Sequence, residues 1–158
     1  MMPPSSSDPA ARRSRRPNSS GLPDWLPSAY LDALSSSEGE LEPDLIFFGE
    51  ARARRENLEF DDADYWLRGE RPDAWWIFGE SGQGDHWLLH TDSQVYFFDH
   101  EQGQRSAARF AFVVESLPQW LEMANVLESS DRSSDRIVRD ALERISPGLA
   151  DRYPFALA

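Results

Sequence analysis

The stretch Trp75–Glu101, WWIFGESGQGDHWLLHTDSQVYFFDHE, limits the possible folds of this chain more than any other. It reads as three short strands in succession. Trp75–Gly79 is an apolar run ending in a glycine-rich turn. His86–His90 and Gln94–Phe98 alternate with the two-residue period of a pleated strand. The intervening Thr91-Asp92-Ser93 suits a three-residue hairpin loop. Closing that loop with His90 and Gln94 sets Leu88 opposite Tyr96, His86 opposite Phe98 and Gly84 opposite His100. One face then carries Trp87, Leu89, Val95 and Phe97, whereas a one-residue slip mixes both faces. The register gathers Asp85, His86, Asp99 and His100 at the open end of the hairpin.

The rest of the chain is read around this hairpin. Residues 1–20 are rich in Pro, Ser and Arg without apolar periodicity, the pattern of a disordered tail, which leaves 21–158 as one domain. Leu22–Ser35 has a helical stripe in Leu26, Tyr30, Leu31 and Leu34. Ser36–Asp44 reads as an acidic loop around Gly39, and Leu45–Phe48 as a short strand. Glu50–Asp64 is the most polar segment of the body, and Asp61–Arg68 reads as a short helix with its aspartates at the N-terminus. Phe110–Val114 is a further strand. Ser116-Leu117-Pro118-Gln119 has capping-box spacing and opens a helix with Leu117, Trp120, Leu121 and Ala124 inward. Asp135–Ile145 is a last amphipathic helix with Ile137, Ala141, Leu142 and Ile145 aligned, stopped by Pro147-Gly148. Leu149, Tyr153 and Phe155 are expected to pin the C-terminal segment to the body. The fold class expected is α+β, a mostly antiparallel sheet of about 4–6 strands flanked by helices.

Charge excludes one broad class of function. The net charge is −12, every basic residue is arginine, and there is no cysteine. Four arginines against one aspartate give residues 1–20 a charge of +3, so the remainder carries −15. Such a body repels phosphate, so no nucleic-acid partner is expected; a basic protein partner is favoured. Without thiols, neither disulfides nor thiolate zinc sites form. No apolar stretch approaches the ~20 residues of a membrane span, and the arginine-rich start lacks the apolar run of an export signal. A cytoplasmic protein with no membrane partner is the expectation.

Asp85, His86, His90, Asp99 and His100 share one hairpin, which raises a metal site. Two histidines four residues apart on a strand are ~13 Å apart, too far for one ion with ligands at ~2 Å. The pleat puts Asp85 and Asp99 on the face opposite His86 and His100, leaving only His86 with His100 as a pair. No metal, no cofactor and no catalytic residue are expected. Gly79-Glu80-Ser81-Gly82 is not a nucleophile elbow, since Gln83 stands where glycine is needed. Nor is it a phosphate cradle, having no lysine and flanking carboxylates. Most of the tryptophans, Trp66, Trp75, Trp76, Trp87 and Trp120 among them, are expected in the core.

Leu26-Pro27-Ser28-Ala29-Tyr30-Leu31 with Gly39, Ile77-Phe78-Gly79, Gly84-Asp85, Val95-Tyr96-Phe97-Phe98-Asp99-His100-Glu101 and Ser116-Leu117-Pro118-Gln119-Trp120-Leu121 occur in an order that resembles the SUKH superfamily. That family includes yeast cell-wall-synthesis regulators and bacterial immunity proteins. The resemblance covers about residues 22–127. It implies an α+β domain that binds rather than catalyses: an immunity protein neutralising a cognate protein toxin, a basic nuclease for example, with a regulatory scaffold or adaptor as the alternative. The surface expected to meet such a partner comprises Glu38, Glu40, Glu42, Glu80, Asp85, Asp99, His100 and Glu101.

Overall fold

The computed structural model describes residues 21–36, 39–129 and 134–157, and the expected tail at 1–20 and Glu38 lie outside them. Six strands form one antiparallel sheet in chain order: β1 (Gly39–Glu42), β2 (Leu45–Phe47), β3 (Trp75–Glu80), β4 (His86–His90), β5 (Val95–Phe98) and β6 (Ala111–Val114). Among the described residues five α-helices accompany it: α1 (Ser28–Ala33), α2 (Glu50–Phe60), α3 (Leu117–Ser129), α4 (Asp135–Ile145) and α5 (Leu149–Arg152). The fold class is α+β, at the upper end of the expected strand number. No helix among the described residues is long and apolar enough to cross a membrane.

The hairpin has the register its loop demands. His86 pairs with Phe98, Trp87 with Phe97, Leu88 with Tyr96 and Leu89 with Val95. Ser93 takes the left-handed conformation at φ 70°, and Asp92 Oδ1 accepts the Gln94 N–H at 2.8 Å, so a polar three-residue loop closes without glycine. Trp87 and Phe97 face α3, where Trp120 meets Phe78 at 4.9 Å and Trp87 at 5.6 Å between ring centres. A bulge in β3 turns both Phe78 and Gly79 toward this side. Gly79 is obligatory: a Cβ there would stand 2.4 Å from the Ile46 carbonyl oxygen across the strand pair.

The opposite face is buried as well. Leu88 and Phe98 are fully covered, beneath an aromatic layer in which Phe110 meets Trp66, Trp75 and Phe98 at 5.6, 4.6 and 5.2 Å. Trp66, Trp75, Trp76, Trp87 and Trp120 are all in the core, as expected. Trp66 and Phe110 come from connecting segments and Phe60 from the end of α2, so irregular backbone and one helix end together cover this face.

Several boundaries differ from the sequence reading. The first helix is Ser28–Ala33 rather than Leu22–Ser35, because Pro23 and Pro27 disfavour helical geometry in the residues before them. Gly39–Glu42 is an edge strand where a loop was expected; only its inner side is paired, so its polar composition matches its position. Glu50–Phe60, part of the most polar segment and given no element in the sequence reading, is helical, and Asp61–Arg68 contains only a 3-10 turn at Ala63–Tyr65. The helix was concealed by a thin buried stripe of Ala53, Asn57 and Phe60. In α4 it is Val138 and Leu142 that are buried, while Ile137 points outward at 55% exposure. The capping box is offset: Gln119 Oε1 accepts the Glu115 N–H at 2.9 Å rather than that of Ser116. Leu149 and Tyr153 are buried, and Phe155 packs on Phe97 at 5.4 Å.

Candidate functional site

One end of the sheet collects most of the residues singled out above. Consecutive pairings make a row Glu40–Ile46–Glu80–His86–Phe98 across β1 to β5. Neighbours in such a row share a face and lie ~4.8 Å apart, so β1 and β5 are separated by ~19 Å. Beyond the row stand three turns: Glu42–Leu45, Ser81–Asp85 and the 3-10 turn His100–Gln102. The Gly82 N–H donates to the Pro43 carbonyl at 3.0 Å, tying the first turn to the second. Glu40 and Glu101 are exposed, whereas Glu42, Glu80 and Asp99 are half-buried. Glu80 is ion-paired with Arg52 at 2.8 Å, and Arg52 also reaches Glu56.

Asp85 occupies a different environment. It is 5% exposed, its Oδ2 accepts from the Ser81 hydroxyl at 3.0 Å, and its Oδ1 accepts the His100 backbone N–H at 3.1 Å. His100 Nδ1 lies 2.6 Å from the same oxygen. Burial would raise the Asp85 pKa, but the bonds from His100 and Ser81 hold it below the ordinary carboxylate value. The bond to Asp85 raises the pKa of His100 in turn. This is the latch that closes the open end of the hairpin, and the expected separation of Asp85 from His100 on opposite faces is corrected. Strand alternation stops at Phe98; the following turn, capped by Asp99 Oδ1 on the Glu101 N–H at 2.9 Å, swings His100 back over Gly84.

Asp85, Asp99 and His100 also have ligand-type atoms within 4.8 Å of one another. Both oxygens of Asp85 and Nδ1 of His100 are already engaged by the latch, so an ion there would have to displace those bonds. His90 is remote from this group. It lies against Trp75, 4.2 Å between ring centres, and beside Asp92.

His86 sits in the second aromatic layer, 6.2 Å from Phe60 and 6.5 Å from Phe98. Burial, with the nearby Arg105 guanidinium, pushes its pKa down to about 4. A histidine depressed in the folded state takes up a proton more readily when unfolded. Stability is therefore expected to fall as pH drops from 6.5 toward 4 by about 3 kcal/mol, with no further His86 contribution below that. His100 contributes with the opposite sign, its stabilisation being complete below 6.5 and lost as pH rises through its raised folded value. Urea titrations at pH 7 and 4.5 measure the difference; His86→Phe should flatten the acid slope, and an unchanged slope would contradict the assignment.

The site end was readable from the hairpin, but Arg105 was not singled out. It lies in the polar segment between β5 and β6, and only the fold carries it to the His86 side of the sheet. No family model, curated protein or solved structure matches this chain. The fold and site define an antiparallel α+β domain with an acidic sheet end latched by an aspartate–histidine pair.

Proposed function

We propose that this chain is a cytoplasmic immunity protein that binds and neutralises a basic protein toxin at the acidic end of its sheet. The observation that carries the reading is the concentration of Glu40, Glu42, Asp99 and Glu101 along a ~19 Å arc of paired strands and turns. That span suits the face of a standard protein–protein contact, and paired strands hold charges in place at little ordering cost. The resemblance to the SUKH superfamily supports the same assignment. Asp85 contributes by fixing the loop, and Glu80 by anchoring α2 through Arg52. His100 stands beside the carboxylates as a donor. A role in binding, with no reaction catalysed, fits these residues, since the ones with unusual environments act in the latch or the core.

The test uses the full chain as bait in an extract of its native host, beside a Glu40→Arg, Glu101→Arg variant. Both positions are exposed, so the variant should keep the wild-type melting temperature. Reversal of Asp85 is unsuitable because it would break the latch. Wild type should enrich a basic protein that the variant loses by tenfold or more. Association with that protein should slow as salt rises, while dissociation changes less. Equal recovery by a folded variant would reject this docking surface, and a recovered partner without toxicity would favour an adaptor instead.

A further inference from the structure

A cavity of about 350 Å³ opens beside the latch, on the His86 side of the sheet. Tyr65, His86, Phe98, His100 and Arg105 line it, and Asp64 is its one carboxylate. Its cationic wall is built by backbone. The Arg105 N–H donates to the Tyr65 carbonyl at 2.7 Å and the Leu67 N–H to the Arg105 carbonyl at 2.9 Å. Trp66 and Arg105 thereby form an isolated parallel bridge. The bridge seats the guanidinium 4.5 Å from the Phe60 ring centre and 5.1 Å from that of Tyr65.

Two nitrogens here are buried without a hydrogen-bond partner among the described residues: Nη1 of Arg105 and Nδ1 of His86. Buried donors without acceptors are rare in folded proteins. Arg105 makes no ion pair among the described residues, although the protein carries 28 acidic residues against 16 basic ones. His100 adds a partly exposed imidazole whose pKa Asp85 raises. Arg105, His86 and His100 thus line one cavity, together with Asp64, Gly103, Gln104 and the aromatic Tyr65 and Phe98.

We propose that this cavity is a binding site for a small carboxylate carried on a flat apolar body, such as an aromatic acid. A small turn of the two covered side chains would let the guanidinium of Arg105 and the Nδ1–H tautomer of His86 each donate to a carboxylate oxygen, and the flat body would lie against the exposed ring of Tyr65. Two principal donors match the two oxygens of a carboxylate; phosphate, with more oxygens to satisfy and no apolar part, fits less well. This site adjoins the acidic arc, sharing His100 at its border, and does not depend on the toxin-binding reading.

The probe is benzoate, titrated into the full chain while the histidine ring and Arg105 signals are followed by NMR. Benzamide and inorganic phosphate serve as controls. Saturable shifts at His86 and Arg105 are expected with a Kd near ~1 mM, about −4 kcal/mol on the 1 M scale. Benzamide and phosphate should bind at least tenfold more weakly, as should benzoate to Arg105→Gln. Because Arg105 also packs between rings, His86→Phe provides a second variant that keeps the aromatic contact and removes the donor; a loss of several-fold is expected. No saturation by ~10 mM benzoate, equal binding of benzamide or phosphate, or undiminished binding to either folded variant would overturn the proposal.

Discussion

Trp87→Ala is expected to cost about 3–5 kcal/mol. The side chain has no exposed surface and packs on Phe97 at 4.8 Å and Trp120 at 5.6 Å. Its indole N–H also donates to the Asp44 carbonyl at 2.9 Å, joining the β1–β2 turn to the centre of the sheet. Truncation removes one of the aromatic contacts between sheet and α3 and that hydrogen bond together. Against a typical net stability of about 5–15 kcal/mol, the loss is severe. Urea unfolding should show a much lower midpoint with a similar slope. A change below about 1 kcal/mol would mean that Trp87 does not stand where the hairpin register puts it.

Asn57→Leu should be comparably damaging, for a different reason. β2 pairs with β3 only at Ile46–Glu80 and Phe47–Gly79, so the strand edge at Ile77 lacks a neighbouring strand. The Asn57 side chain completes it: Oδ1 accepts the Ile77 N–H at 2.8 Å and Nδ2 donates to the Ile77 carbonyl at 2.8 Å. Nδ2 donates to the Ala53 carbonyl as well. One buried amide thus docks α2 onto the sheet. Leucine, of similar volume, leaves two backbone groups unsatisfied at ~1–3 kcal/mol each, so a loss of about 4 kcal/mol is expected. Asn57→Asp retains the acceptor but not the donor and should also destabilise. Hydrogen exchange provides a local check: the Ile77 amide should lose its protection first. Full protection of that amide in the leucine variant would contradict the bridging role.

The two variants also mark which parts of this fold were legible in the sequence. Trp87 lies in a segment whose alternation and loop length determine register from short-range rules, and there the pairings agree from Leu89–Val95 to His86–Phe98, where the ladder ends. Asn57 lies in a helix with one large apolar residue on its buried stripe. No periodicity signal reports that an asparagine will replace a missing strand. β1 was obscured similarly, since an edge strand with a single apolar residue, Leu41, resembles an acidic loop. At the site, strand register brought Glu40 and Glu80 into line with His86, an alignment that depends on pairings distant in sequence. The Asp85–His100 latch was not foreseen because it forms where the pleat ends and a 3-10 turn begins. Arg105 escaped attention for the same reason: a bridge to Trp66, 39 positions away, sets its place.

The proposed role of the acidic end of the sheet is to neutralise a toxin. Survival of cells producing the basic partner recovered with the wild-type chain tests that role. Co-production of wild type should restore growth, while the folded Glu40→Arg, Glu101→Arg variant should not, and Arg105→Gln should protect as wild type does. Full protection by the charge-reversed variant, or none by wild type, would contradict the claim.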